Sequence, residues 1–168
     1  LIPGTRKETA AFFIRWTSFP ASTLEKDQQF QVSREAGKWQ LFDMKGNQVF
    51  FQDLNQKPVF LNIWATWCPP CIAEMPGISN LHDDFSEEVN FILISNENPE
   101  IIWAFLEKNG YADLPVYYAS YIPRDFMSQS IPATFIVDGE GTVVLKKLGA
   151  ARWNSDKTRK LLDQLKEQ

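Results

Sequence analysis

The chain has 168 residues, 44% of them hydrophobic and 23% charged, and a formal net charge of -4. That length supports one domain with a real core and is short for two. The acidic balance and the lack of a basic cluster argue against nucleic acid as a partner, and no apolar run approaches the ~20 residues that span a bilayer.

The opening "LIPGTRKETAAFFIRWTSFP" sets Arg6 and Lys7 before an apolar patch at 12–14, with Trp16 and Phe19 close by. Two compatible expectations follow: a stub left by a removed N-terminal membrane anchor, or an amphipathic lead-in helix packed on the domain. Residues 21–38 are polar and without periodicity, so residues 1–37 are read as a lead-in or linker and 38–168 as the folded domain.

From there "KWQLF", "DMKGN" and "QVFFQDL" predict strand, turn and strand, with Gly46 and Asn47 supplying the turn. "PVFLNIWA" at 58–65 is a nearly continuous apolar run, as in a strand buried on both faces. A helix is expected over 68–85, with Pro69 in a tolerated first-turn position and Pro76 bending it. "VNFILIS" at 89–95 reads as a second buried strand, and "NPEIIWAFLEKNG" as a helix ending at Gly110. "LPVYYA" is a short strand, and "TFIVDGEGTVVLKKLG" a hairpin turning at 138–141. "NSDKTRKLLDQLKEQ" has N-cap candidates and an apolar stripe of Leu161, Leu162 and Leu165. Alternating strands and helices followed by an antiparallel pair predict an α/β fold with a mixed central sheet and helices on both faces.

The chemistry concentrates in "WATWCPPCIAEMPG" at 64–77, which holds both cysteines of the chain. A closed zinc site needs four ligands. The single histidine, His82, would lie about 16 Å along the same helix from Cys71 at 1.5 Å per residue, so no metal site is expected and His82 reads as a surface residue. A structural disulfide closing a four-residue loop would gain only about 2 kcal/mol. Redox chemistry remains. At a helix N-terminus, Cys68 meets unpaired backbone N–H groups and the helix dipole, which favour a thiolate. Cys68 is then the attacking thiol and Cys71, one turn on and more buried, the resolving one. Pro69 and Pro70 offer the sulfur no N–H and are expected to weaken that stabilisation.

"FLNIWATWCPPC", "AEMP" and "IPATFIVDGEGTVV" together resemble the thioredoxin superfamily, and more closely its TlpA/ResA-like thiol-disulfide oxidoreductases, over about residues 38–167. The resemblance implies a thioredoxin-like fold with an N-terminal β-hairpin and an inserted helix and strand. It implies that Pro132 is a cis-proline lying against the active-site disulfide. The backbone around Ile131 would pair with an extended substrate segment, and Trp67 would line the substrate surface. Classical thioredoxins carry a buried acid where this chain has Asn62. Members of the branch carry a glutamate in the motif helix, matching Glu74, which is either a proton relay and pKa tuner or a solvated or capping carboxylate. Glu97 is a weaker candidate of the same kind, Trp64 reads as core, and Tyr117, Tyr118 and Tyr121 belong to a partner groove, a lid or the core.

The expected activity is thiol-disulfide exchange, in the reducing direction, on disulfide-containing proteins outside the cytoplasm. The resemblance adds a membrane thiol electron donor, a link to cytochrome c maturation, and an extracytoplasmic or periplasmic location. No cofactor and no metal are expected, and a monomer is. Two alternatives stand beside this: a thiol peroxidase, for which residues 62–67 lack the needed proline, and a non-enzymatic binding module that uses the thiols incidentally.

Overall fold

The computed structural model describes residues 21–167. The segment carrying Arg6, Lys7, Trp16 and Phe19, with both expectations placed on it, lies outside the described residues. In chain order the elements are β1 (Phe30–Gln31), α1 (Arg34–Gly37), β2 (Gln40–Asp43), β3 (Gln48–Phe50), α2 (Phe51–Leu54), β4 (Val59–Ile63) and α3 (Pro69–Phe85). They continue with β5 (Asn90–Ser95), α4 (Pro99–Asn109), β6 (Val116–Tyr118), β7 (Ala133–Val137), β8 (Thr142–Leu148) and α5 (Asp156–Lys166). Single 3₁₀ turns occupy Lys26–Gln28 and Arg124–Phe126.

One mixed sheet runs in the order β1-β8-β7-β4-β5-β6-β2-β3. Strands β4, β5 and β6 are parallel, and the flanking pairs are antiparallel. The apolar run of β4 is buried at all five positions because it sits mid-sheet with both faces covered. Its alternate residues serve two cores. Phe60 joins Met75, Ile78, Leu162 and Trp153 under the long helices, while Val59, Leu61 and Ile63 join Trp39, Phe51 and Phe126 on the other face. Each such side chain contributes about 1.5–3 kcal/mol by leaving water.

Three local expectations need correction. Residues 51–54, read as the end of a strand, form α2: the Phe50 N–H donates to the Asp53 carboxylate, and Phe51 N–H to the Trp39 carbonyl, which turns the chain into the core. The segment 21–37 is not irregular throughout. Phe30 and Gln31 pair with Val143 and Thr142 of β8, and Ser33 caps α1 by accepting from Ala36 N–H. His82 is half-buried rather than a free surface residue, its ring edge-on to Phe91 at 5.3 Å.

The motif helix begins where the sequence indicates. Cys68 is extended and its sulfur accepts from Cys71 N–H, so the cysteine is itself the N-cap, and the two prolines fill the positions whose N–H groups would have no helical partner. Pro76 lies inside the helix. One residue on, Gly77 is where the chain at Trp153 and Asn154 crosses the helix, with Asn154 N 3.6 Å from where a Cβ would stand.

Candidate active site

Cys68 and Cys71 are disulfide-bonded at the N-terminus of α3 and almost wholly buried, at 3% and 1% exposure. The Cys68 sulfur accepts the Cys71 N–H at 3.3 Å. One backbone donor therefore remains for it although the two prolines offer none. The Ile131 carbonyl oxygen lies 3.8 Å from the same sulfur. It is brought there by the loop from β6 to β7, which ends in a cis Ile131–Pro132 bond. The Pro132 carbonyl accepts from Gly149 N–H, which locks the loop end to the end of β8. Beside the pair, Trp67 is 63% exposed. The structure thus brings Cys68, Cys71, Trp67, Ile131 and Pro132 together at the carboxyl end of β4. Trp64 is core, packed 5.5 Å from Phe105. Tyr117 and Tyr118 are half-buried in β6, and Tyr121 is exposed. Burial and the nearby Asp43 push the Tyr117 phenol above its ordinary value.

Glu74 is not a solvated or capping carboxylate. It follows Cys71 by one helical turn on the inward side of α3 and is 4% exposed. One oxygen accepts from Asn62 Nδ2 at 2.8 Å; the other accepts from Trp153 Nε1 at 2.8 Å and Ala151 N–H at 3.2 Å. Burial raises its pKa to about 7, against the opposing pull of the hydrogen bonds from Trp153, Asn62 and Ala151 and the charge of Lys147. Asn62 also donates to Thr134 Oγ1, its register partner on β7, while its own Oδ1 is buried without a partner. The site therefore keeps a buried acid, delivered by the helix and fastened to the strand position where a thioredoxin would carry one.

Glu97 does something else. Its carboxylate accepts from Thr66 N–H and Thr66 Oγ1, both at 2.7 Å, and from Ser95 Oγ at 3.1 Å. This fastens the loop before Cys68 to the end of β5. Replacing Glu97 with alanine strands the Thr66 N–H and should lower stability by about 1–3 kcal/mol; a urea midpoint unchanged from wild type would contradict that. Sequence reading missed this link, as it missed Trp153 and Ala151, because each contact closes between distant segments. Among the described residues no group of histidine, cysteine and acidic side chains is arranged to hold a metal, and no helix is long and apolar enough to cross a membrane.

Comparison with known proteins agrees with this geometry. The AhpC/TSA family profile matches residues 32–146. The thiol-disulfide oxidoreductase ResA of Bacillus cereus is 31% identical over 125 residues, covering 73% of this chain and 72% of the relative. A thiol:disulfide interchange protein of the thioredoxin family from Chlorobium tepidum superposes with a TM-score of 0.61 at 21% identity, covering 89% of this chain and 97% of that one. A secreted disulfide oxidoreductase of Mycobacterium tuberculosis gives a TM-score of 0.65 at 20% identity, covering 79% of this chain and 100% of that one. These last two show a shared thioredoxin-like fold. The buried disulfide, the cis-proline loop against it and the ResA match converge: the chain belongs to the AhpC/TSA family, among its ResA-like thiol-disulfide oxidoreductases.

Proposed function

We propose that this protein reduces disulfides in other proteins outside the cytoplasm, acting as a monomer without cofactor or metal. The observation that carries the reading is the placement of the Cys68 sulfur between the Ile131 carbonyl and the Cys71 N–H, with a buried acid one turn further along the same helix. In the reduced protein the Cys68 thiolate attacks a substrate disulfide, forming a mixed disulfide and releasing one substrate thiolate. Glu74 takes the proton of Cys71, whose thiolate attacks Cys68 and releases the second substrate thiolate. Two electrons pass to the substrate, the Cys68–Cys71 disulfide re-forms, and Glu74 returns its proton to water. Trp67, Ile131 and Pro132 form the bed for the substrate segment, which adds to the Ile131 backbone as an extended strand. A membrane thiol protein restores the dithiol. The haem-attachment cysteines of a cytochrome c precursor are substrates of the right kind.

The peroxidase alternative gains nothing from the site. Residues 62–67 leading to Cys68 contain no proline, and the sulfur lies beside a peptide carbonyl rather than in a pocket of donors. The reduction potential of the pair, equilibrated against dithiothreitol and followed by tryptophan fluorescence, tests the direction. The expected value is around -250 mV or lower, and a value near about -120 mV would make the protein an oxidant and remove the reductase reading.

A further inference from the structure

The loop between β6 and β7 carries Ile131 to the dithiol, yet it has little hydrogen bonding of its own beyond the 3₁₀ turn and the Ser128–Ser130 contacts. Loops of this length without regular structure inside a compact domain are usually functional. What fixes this one comes from the other end of the chain. Trp39, fully buried, donates its Nε1–H to the Tyr121 carbonyl at 2.8 Å and stacks on Phe126 at 5.8 Å. Phe126 is held in turn against Phe51 and Phe135, at 5.2 and 5.3 Å. Next to it, both Asp125 oxygens accept from Ser33: Oδ2 from the backbone N–H at 2.6 Å and Oδ1 from the hydroxyl at 3.0 Å. The Ser33 oxygen also caps α1 by accepting from Ala36 N–H, so one serine binds helix to loop. Beyond this anchorage the chain emerges at once, with Met127 62% exposed, and runs to Ile131 beside the Cys68 sulfur.

We propose that Asp125 is a positioning residue for substrate capture: through Ser33 it clamps the exposed stretch 127–131 in the course on which an extended polypeptide flanking a disulfide docks. The proposal rests on the protein-reductase reading above. A small disulfide needs only the sulfur of Cys68, whereas a polypeptide needs the stretch in place, so the clamp acts on one class of substrate and not the other.

The test compares Asp125→Ala and Asp125→Asn with wild type, using insulin as protein disulfide and hydroxyethyl disulfide as small one. Asp125→Ala should raise the KM for insulin about fivefold to tenfold, with kcat and the rate on hydroxyethyl disulfide within about twofold. Asparagine, whose Oδ1 still accepts from the Ser33 N–H while its Nδ2 donates to the Ser33 hydroxyl oxygen, keeps the link without the charge and should restore most of the loss. Equal KM values would overturn the proposal, as would parallel loss on both substrates, the mark of a merely structural residue. Hydrogen exchange separates this from the underlying reading: amides 127–131 should exchange about tenfold faster in Asp125→Ala. Unchanged exchange overturns the clamp, even in a protein that proved unable to reduce insulin; accelerated exchange with an insulin-inactive wild type overturns only the reductase reading.

Discussion

Replacing Cys71 with serine should stop the reaction half-way, leaving the substrate covalently attached to Cys68 and turnover lower by at least about a thousandfold. The magnitude follows from geometry. Cys71 lies one helical turn from Cys68 and its attack is intramolecular, and well-oriented intramolecular steps have effective molarities on the order of 10⁵–10⁸ M. A thiol in solution at millimolar concentration cannot replace that. Cys68→Ser should be equally inactive but trap nothing, because Cys71 is 1% exposed as a residue and sits one turn inside the helix whose N-cap is Cys68. The check is a mass measurement under non-reducing conditions after mixing each variant with insulin, alongside the turnover assay. An adduct through Cys71 in the Cys68 variant would reverse the assigned roles. Full partner binding in both variants, with no turnover in the wild type for either to lose, would leave a binding module and no enzyme.

The oxidised protein should lose stability as pH rises from about 4.5 to about 7, and Glu74→Gln should abolish that loss. The folded pKa of Glu74 is raised to about 7 from an ordinary value of 4.5. In that window the native state holds a proton that the unfolded state has released, so the stabilisation is full below the unfolded pKa and disappears as pH climbs through the folded one. At about 1.36 kcal/mol per unit, the shift corresponds to about 3 kcal/mol. The disulfide form isolates the effect because neither cysteine titrates in it. Glutamine fits the same niche. Its carbonyl accepts from Ala151 and Trp153, and its amide donates to Asn62 once that side chain turns its unpartnered Oδ1 inward. Urea titrations at pH 5 and pH 7.5 give the comparison, and a wild-type curve flat across the two would show that the Glu74 carboxyl titrates as an exposed acid does. If Glu74 takes the Cys71 proton as proposed, the same substitution should slow release of substrate from the Cys68 mixed disulfide in the reduced protein.

Much of the frame was legible because it is written locally. The continuous run at 58–65 has the length and composition of a strand covered on both faces, and the prolines after Cys68 suit the first turn of a helix. Gly110, at φ 74°, ends α4 in the left-handed region that glycine enters freely. The state of Glu74 was not legible, since nothing within a helical turn reveals burial. Its surroundings are Asn62 from β4 and Ala151 and Trp153 from beyond β8, 12 to 79 residues away. For the same reason residues 51–54 look like strand: "QVFFQDL" has strand composition, and only the Trp39 carbonyl and the Asp53 carboxylate draw it into a helical turn. Residues 30–37 read as linker because two residues of pairing and one capping serine leave no periodic trace.

Both outer rims of the sheet are built from the first fifth of the described chain, β1 along β8 on one side and β2 with β3 beyond β6 on the other. A polypeptide trimmed to begin at residue 38 would leave the Thr142–Val143 rim of β8 bare beside an apolar interior. Bare strand rims are the usual route by which folded proteins stick to copies of themselves. The short early strand, which adds little to the core, thus serves colloidal behaviour: it closes a rim on which a second copy could otherwise add a strand.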